Sequence, residues 1–177
     1  MKIKFLIIFL ILNFYCKLSF AENIAVVNIK LLIDNNEYYL ETIENLENSQ
    51  QKYLQNFQDK ENKLKNLFED IQQSKLILNE DEINNKIDDY NKKYSNFSIL
   101  VEEFNFHYQD QILLIREVVL KEIIVLLEKY ATANRLDLIL DSTSYLIASN
   151  SIDITDSINK ELKKIKFKLN YEDFKNY

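Results

Sequence analysis

A chain of 177 residues with a net charge of −6, one cysteine, one histidine and neither glycine nor proline is narrowly bounded. The acidic balance argues against a nucleic-acid partner, whose phosphates demand a basic footprint. Phosphate loops, dinucleotide fingerprints and nucleophile elbows need glycine where backbone approaches a ligand or turns sharply, so none is present in standard form.

The first 21 residues are read as a cleavable signal peptide. Lys2 and Lys4 precede the apolar run FLIIFLILNFY at 5–15, which has the length of a signal h-region and is short for a bilayer span. Ser19 and Ala21 stand at the −3 and −1 positions of a cleavage site. Cys16 is not expected to be lipidated, because Tyr15 before it is bulky. Cleavage removes Lys2, Lys4 and Lys17 with no acid, so the exported chain carries −9. It also removes the only cysteine, and the fold must then be held by packing alone.

Residues 24–29, IAVVNI, form a compact β-type segment. After it the spacing turns helical. A first arm carries the seam Ile43, Leu46, Gln50, Tyr53, Phe57, Lys60, Leu64, Leu67, Ile71, Ser74, Leu78, with steps of 3 and 4. That is the coiled-coil period of 3.5, and about 40 residues at ~1.5 Å each give roughly 60 Å. A second arm repeats the pattern through Ile87, Tyr90, Tyr94, Phe97, Val101, Phe104, Tyr108, Gln111, Ile115 and Val118. Between them lies the sequence NEDE. Asn79 is expected to end the first helix in the left-handed conformation and Asp81 to cap the next, folding the arms into an antiparallel hairpin.

From Val118 the apolar face broadens through Val119, Ile123, Ile124, Leu126, Leu127 and Tyr130, the mark of a packed body. Asn134 is a candidate helix end. LDLILD (136–141) and SYLIAS (144–149) read as two strands joined by a few polar residues, with Leu138 and Leu140 buried one way and Asp137 and Asp141 outward. A last helix opens at DITD (153–156), capped by Asp153 or Thr155. A two-stranded hairpin is marginal on its own, and about three strands in one chain are too few for a barrel and poorly suited to cover both faces, so a homo-oligomer is expected to complete the sheet.

The order of parts resembles the Skp/OmpH family of periplasmic outer-membrane-protein chaperones. AENIAVVNIKLLI (21–33) is similar to that family's opening strand and turn into the first arm. ATANRLDLILDSTSYLIASNSIDITDSINKELKK (131–164) is similar to its closing module. The resemblance implies an α+β fold: a long coiled-coil hairpin, a tentacle, on a small β body that three chains complete as a shared barrel. The corresponding division is a signal peptide at 1–21, a body at 22–35 and 118–165, an arm at 36–117 and a tail at 166–177. It also implies an ATP-independent holdase in the periplasm, with unfolded outer-membrane proteins and two further copies of itself as partners. It implies neither cofactor nor enzymatic activity. In one respect the chain departs from the family's usual basic character: residues 59–93 carry seven lysines against nine acids, and no lipopolysaccharide site is carried over.

Candidate sites follow. Ile99, Phe106 and Leu113 lie seven apart, off the seam of the second arm, and Leu40, Leu54 and Phe68 flank the first; exposed apolar stripes of this kind mark interaction surfaces, here for client, the alternative being packing near the body. Ile24, Val26, Val27, Ile29, Leu136, Leu138 and Leu140 are assigned to the oligomerisation body. The aromatic seam residues are the hairpin's own core. His107, as the only histidine, excludes a His-rich metal site and Ser-His catalysis, and is read as solvated beside the seam. Glu80, Asp81, Glu82, Asp88 and Asp89 are a solvated turn, since an EF-hand loop needs a central glycine. Asp137 and Asp141 are a strand face, not an acid/base pair. Lys160, Lys163, Lys164, Lys166 and Lys168, with Ile158, Leu162, Ile165 and Leu169, suggest a cationic amphipathic end, either in weak contact with a membrane surface or with its apolar face docked on the body. The competing reading is a structural envelope coiled coil, a spacer without chaperone activity.

Overall fold

The computed structural model describes residues 23–175; the signal-peptide assignment and Cys16 lie outside them. The chain forms strand β1 (Ile24–Val27), a short helix α1 (Ile29–Asp34), two long helices α2 (Glu37–Ser74) and α3 (Glu80–Asn134), strand β2 (Leu138–Asp141) and helix α4 (Thr155–Leu162). Two 3₁₀ turns, Ser142–Ser144 and Asn150–Ile152, lie between β2 and α4.

The arms form as their periodicity demands. Leu46 and Phe57 of α2 are buried in one cluster with Phe104, Tyr108 and Ile115 of α3, and Ile71 is buried nearer the turn. Their 38 and 55 residues correspond to about 57 and 82 Å of helix. Tyr94 departs from the expected seam and is exposed, as is Val118, whose place is taken by the fully buried Val119. The drift from Val118 to Val119 is where the seam gives way to the broader face that packs on the body.

The turn between the arms is built differently from the expected one. Asn79 is extended (φ −74°, ψ 169°) and caps α3 itself: its side chain accepts from the Glu82 N–H while Glu82 accepts from the Asn79 N–H, a reciprocal capping box. Asp81 lies inside the helix, where its charge suits the first turn. Ser74 accepts from the Ile77 and Leu78 N–H groups and ends the first arm. The left-handed residue is Arg135 (φ 54°, ψ 44°), one past Asn134, and it ends α3.

In the body, β1 and β2 pair in parallel, Ile24 opposite Leu138 through Val27 opposite Asp141. The other edge of β1 meets the segment before α4 through a bridge to Asp153 and the Ile154 N–H to Val26 carbonyl bond of 2.9 Å. Ala25 and Val27 pack with Leu32, Ile33, Val119, Ile123, Ile154, Ile158 and Leu162, with Ile139 and Leu136 against them. The facing of β2 is therefore the reverse of the expected one: Ile139 points inward and Leu138 is 46% exposed. Asp137 and Asp141 share the inward parity but sit at the strand ends. The Asn23 N–H donates to Asp137 Oδ2 (3.0 Å), and Asp141 Oδ1 accepts from the Ile29 N–H (3.1 Å) at the start of α1.

SYLIAS forms no strand in this chain. Tyr145 and Ser149 are extended, but the segment between them pairs with nothing, and Leu146 and Ile147 are fully or almost fully exposed. At α4 the cap position falls on Ile154, without a side-chain cap; Asp153 instead accepts from the Thr155 N–H at 2.8 Å, and Thr155 Oγ1 accepts from the Asn28 N–H at 2.9 Å.

Candidate functional site

Among the described residues no group of three or more His, Cys, Asp or Glu is placed to hold a metal, and no helix is long and apolar enough to cross a membrane. The candidate surfaces are therefore apolar ones along the arms and on the sheet.

The six off-seam residues are all at the surface. Leu40, Leu54 and Phe68 are exposed on α2, and Ile99, Phe106 and Leu113 are exposed on α3. They are solvated because a hairpin of two helices covers one stripe of each, and residues seven apart off that stripe stay uncovered along the whole arm. Phe68 also leans on Tyr90, ring centroids 5.6 Å apart. Sequence reasoning missed further members of the surface: Leu76 and Ile77 at the tip, and Ile112, Leu114, Ile124 and Val125 on α3. Ile112 and Leu114 flank Leu113, so an apolar run of three was itself the signal.

Beside the stripe, between the arms, lies a groove of about 490 Å³. Its floor is Leu64, Leu67, Phe97 and Leu100 and its rim is Lys60, Lys63, Lys93 and Asn96. The apolar floor is open while the lysines keep their heads in water, as long cationic side chains do.

The tail was not assigned a place, and the structure gives it one. After α4 the chain is extended rather than helical. Ile165, Phe167 and Leu169 pack on the body in alternation with exposed Lys164, Lys166 and Lys168, Phe167 against Tyr38 at 5.8 Å. The apolar partners of the lysine cluster are thus docked on the protein, and the lysines alone face outward. Farther on, Phe174 is buried among Tyr53 (5.7 Å), Phe104 (5.4 Å) and His107 (5.6 Å). His107 is accordingly no solvated bystander: its Nε2 lies 2.7 Å from the Glu172 carbonyl.

The same segment accounts for two polar groups in the seam. Gln111, buried between apolar neighbours, accepts from the Glu172 N–H at 2.9 Å. Tyr108 Oη is 3.0 Å from Ser49 Oγ, which donates to Asp173 at 2.5 Å. Burial raises the Tyr108 pKa above its ordinary value; the Ser49 bond opposes that and the Asp173 charge adds to it. In the body, burial would raise the pKa of Asp141, but bonds from Thr143, the Ile29 N–H and the Thr143 and Ser142 N–H groups outweigh it and hold the carboxyl below its usual value.

The seven body residues divide by facing. Val27, Ile29 and Leu136 pack into the chain's own core. Ile24, Val26, Leu138 and Leu140 share the opposite face of the sheet, where Leu138 and, in part, Ile24 and Leu140 remain uncovered.

The family model for OmpH, "Outer membrane protein (OmpH-like)", matches residues 23–162. The chain belongs to the OmpH-like family. Family membership covers both ends of the body and the whole hairpin, and stops at the last residue of α4. Among solved structures, the chain is similar to an OmpH-like protein of Caulobacter crescentus CB15 described as a candidate outer membrane chaperone. The TM-score is 0.59 at 13% identity, over 85% of this chain and 92% of that one, a likeness that shows the shared OmpH-like fold. A comparison with curated proteins gives no significant match.

Proposed function

We propose that this OmpH-like protein is an ATP-independent periplasmic holdase that encloses unfolded outer-membrane β-barrel proteins and keeps them from aggregating. The observation that carries the reading is the row of apolar side chains left at the surface along both arms, with Ile99, Phe106 and Leu113 on α3 as its clearest part. Exposed apolar area of this extent serves interaction. Spread thinly along helices, it offers many weak contacts rather than one pocket, which suits a client whose unpaired strand edges and apolar segments must be shielded and then released.

A cavity requires more than one arm. The sheet of one chain has two strands, an apolar outer face at Ile24, Val26, Leu138 and Leu140, and an unpaired extended segment at Leu146 and Ile147. Strand pairing with other copies would cover all three, and a homotrimer is the assembly proposed. Export by residues 1–21 places the protein in the periplasm.

The test has two steps. Light scattering during size exclusion gives the mass of residues 22–177; three copies are expected, and a monomer would remove the cavity. Dilution of a urea-denatured outer-membrane porin then reads holding. The triple variant Ile99→Ser, Phe106→Ser, Leu113→Ser should keep the mass of the wild type and lose most of its protection. Undiminished protection would refute the role given to this surface, and assembly without any holding by the wild type would favour a structural spacer.

A further inference from the structure

The described tail runs past the last residue matched by the family and into a groove between the arms. Besides two side-chain bonds, Ser49 to the Asp173 carboxylate and the Tyr171 hydroxyl to the Asn45 carbonyl, the contacts there are of two kinds. Three main-chain groups of the tail are bound by side chains of the helices. The Glu172 N–H donates to Gln111, the Glu172 carbonyl accepts from His107, and the Phe174 carbonyl accepts from the Tyr53 hydroxyl. One side chain is bound by shape: the Phe174 ring fills a pocket of Tyr53, Phe104 and His107.

That division matters. Backbone groups are the same in every polypeptide, so the three main-chain bonds are open to other segments, while the ring pocket demands an aromatic residue and the bonds to Asp173 and Tyr171 favour the protein's own tail. The tail owes its position to no helix or sheet of its own. It can leave the groove without disturbing α4, which is anchored in the body by Ile158 and Leu162. Gln111 would also make a poor permanent seam residue: with the tail gone its amide faces an open groove and needs a new partner.

We propose that the groove at Tyr53, Phe104, His107 and Gln111 is a binding site for extended, aromatic-bearing polypeptide, that the protein's own tail occupies it at rest, and that unfolded client displaces the tail. The last clause rests on the holdase reading; the first two do not. When the tail fills the groove in about nine molecules of ten, apparent affinity for a competing segment falls about tenfold. The tail thus sets a threshold that a long client, with several aromatic segments, passes more easily than a short stray peptide.

Two experiments test this on residues 22–177. In the first, a fluorescein-labelled peptide of residues 166–177 is titrated by anisotropy against the Phe174→Asp variant, whose tail cannot seat its ring, and against the wild type. Saturable binding to the variant, about tenfold tighter than to the wild type, is expected, and it should vanish for a peptide carrying the Phe174→Ala change. No binding to the variant, or equal binding to both proteins, would overturn the site.

In the second, Ser49→Cys and Asp173→Cys are combined in residues 22–177, which hold no other cysteine, so that oxidation locks the tail in place and reductant frees it in the same molecule. A denatured porin should lose the groove's share of its holding in the oxidised form, with recovery on reduction. Equal holding by both forms overturns the competition and leaves the holdase reading standing. Holding by neither removes both.

Discussion

Two phenylalanines two residues apart on α3 allow a sharp check of the packing. Phe104 is 0% exposed and its ring lies 4.8 Å from Phe57, 4.8 Å from Tyr108, 5.4 Å from Phe174 and 5.9 Å from Tyr53. Phe106 is 72% exposed. Replacing a buried phenylalanine by alanine costs about 3–5 kcal/mol through lost transfer and the cavity left behind. Here four aromatic neighbours place the cost of Phe104→Ala in the upper part of that range. At Phe106 the same change removes little packing and is expected within about 0.5 kcal/mol. Alanine is the better helix former at both sites, and that gain of a few tenths cancels in the difference. The difference between the two variants should therefore be about 3–5 kcal/mol. It is read by urea unfolding followed by far-UV circular dichroism at one protomer concentration, since association makes stability concentration-dependent. A difference below about 1 kcal/mol would mean that the aromatic stack is not the core of the hairpin. Phe106→Ala should in turn weaken client holding while the arm stays folded.

Further outcomes follow from the body and the tip. Leu138→Asp places a charge on the uncovered face of the sheet and should yield monomers by light scattering while leaving helical content intact; an unchanged mass would remove that face from the interface. Asn79→Ala breaks the capping box and should cost about 0.5–2 kcal/mol of local stability, visible as faster hydrogen exchange at the Glu82 amide. For Asp141, the depressed folded pKa means stability that is present above the ordinary value of 3.8 and lost as pH falls through the lower folded value. The urea midpoint of the wild type should fall below about pH 4 by more than that of Asp141→Asn, whose neutral side chain removes this dependence; parallel curves would refute it.

The arms were legible because burial in a hairpin repeats every 3.5 residues, and Leu46, Phe57, Ile71, Phe104, Tyr108 and Ile115 repeat with it. The body was harder. LDLILD has leucine at 136, 138 and 140 on one parity and only Ile139 between two aspartates on the other, so the pattern pointed to Leu138 and Leu140, whereas the helices of the same chain cover Ile139. SYLIAS has the composition of a strand but lacks a partner within one chain, and composition does not report where the partner is. Asn79 was recognised as a boundary residue, yet one asparagine suits both a left-handed helix end and an N-cap, and Glu82 three residues on was the feature that decides between them. The tail was the largest omission. Its residues 165–169 alternate apolar and lysine with period 2, the pattern of an extended segment on a surface, but the seating of Phe174 depends on Gln111, His107 and Ser49, more than 60 positions away.

The parallel pairing of β1 with β2 joins residues separated by 114 positions, Ile24 with Leu138. Closing a loop of that size early in folding costs entropy with no nearby contact to offset it. The hairpin removes the difficulty by zipping from its turn, where each added heptad needs only local closure, until Asp34 and Arg116 stand within 3.7 Å. By then the two strands are neighbours and the remaining gap is short. The sheet is thus the last part to form, and its outer face exists only on a chain whose arm is already complete. Unfinished molecules lack the paired face of Ile24, Leu138 and Leu140 through which the proposed assembly would form.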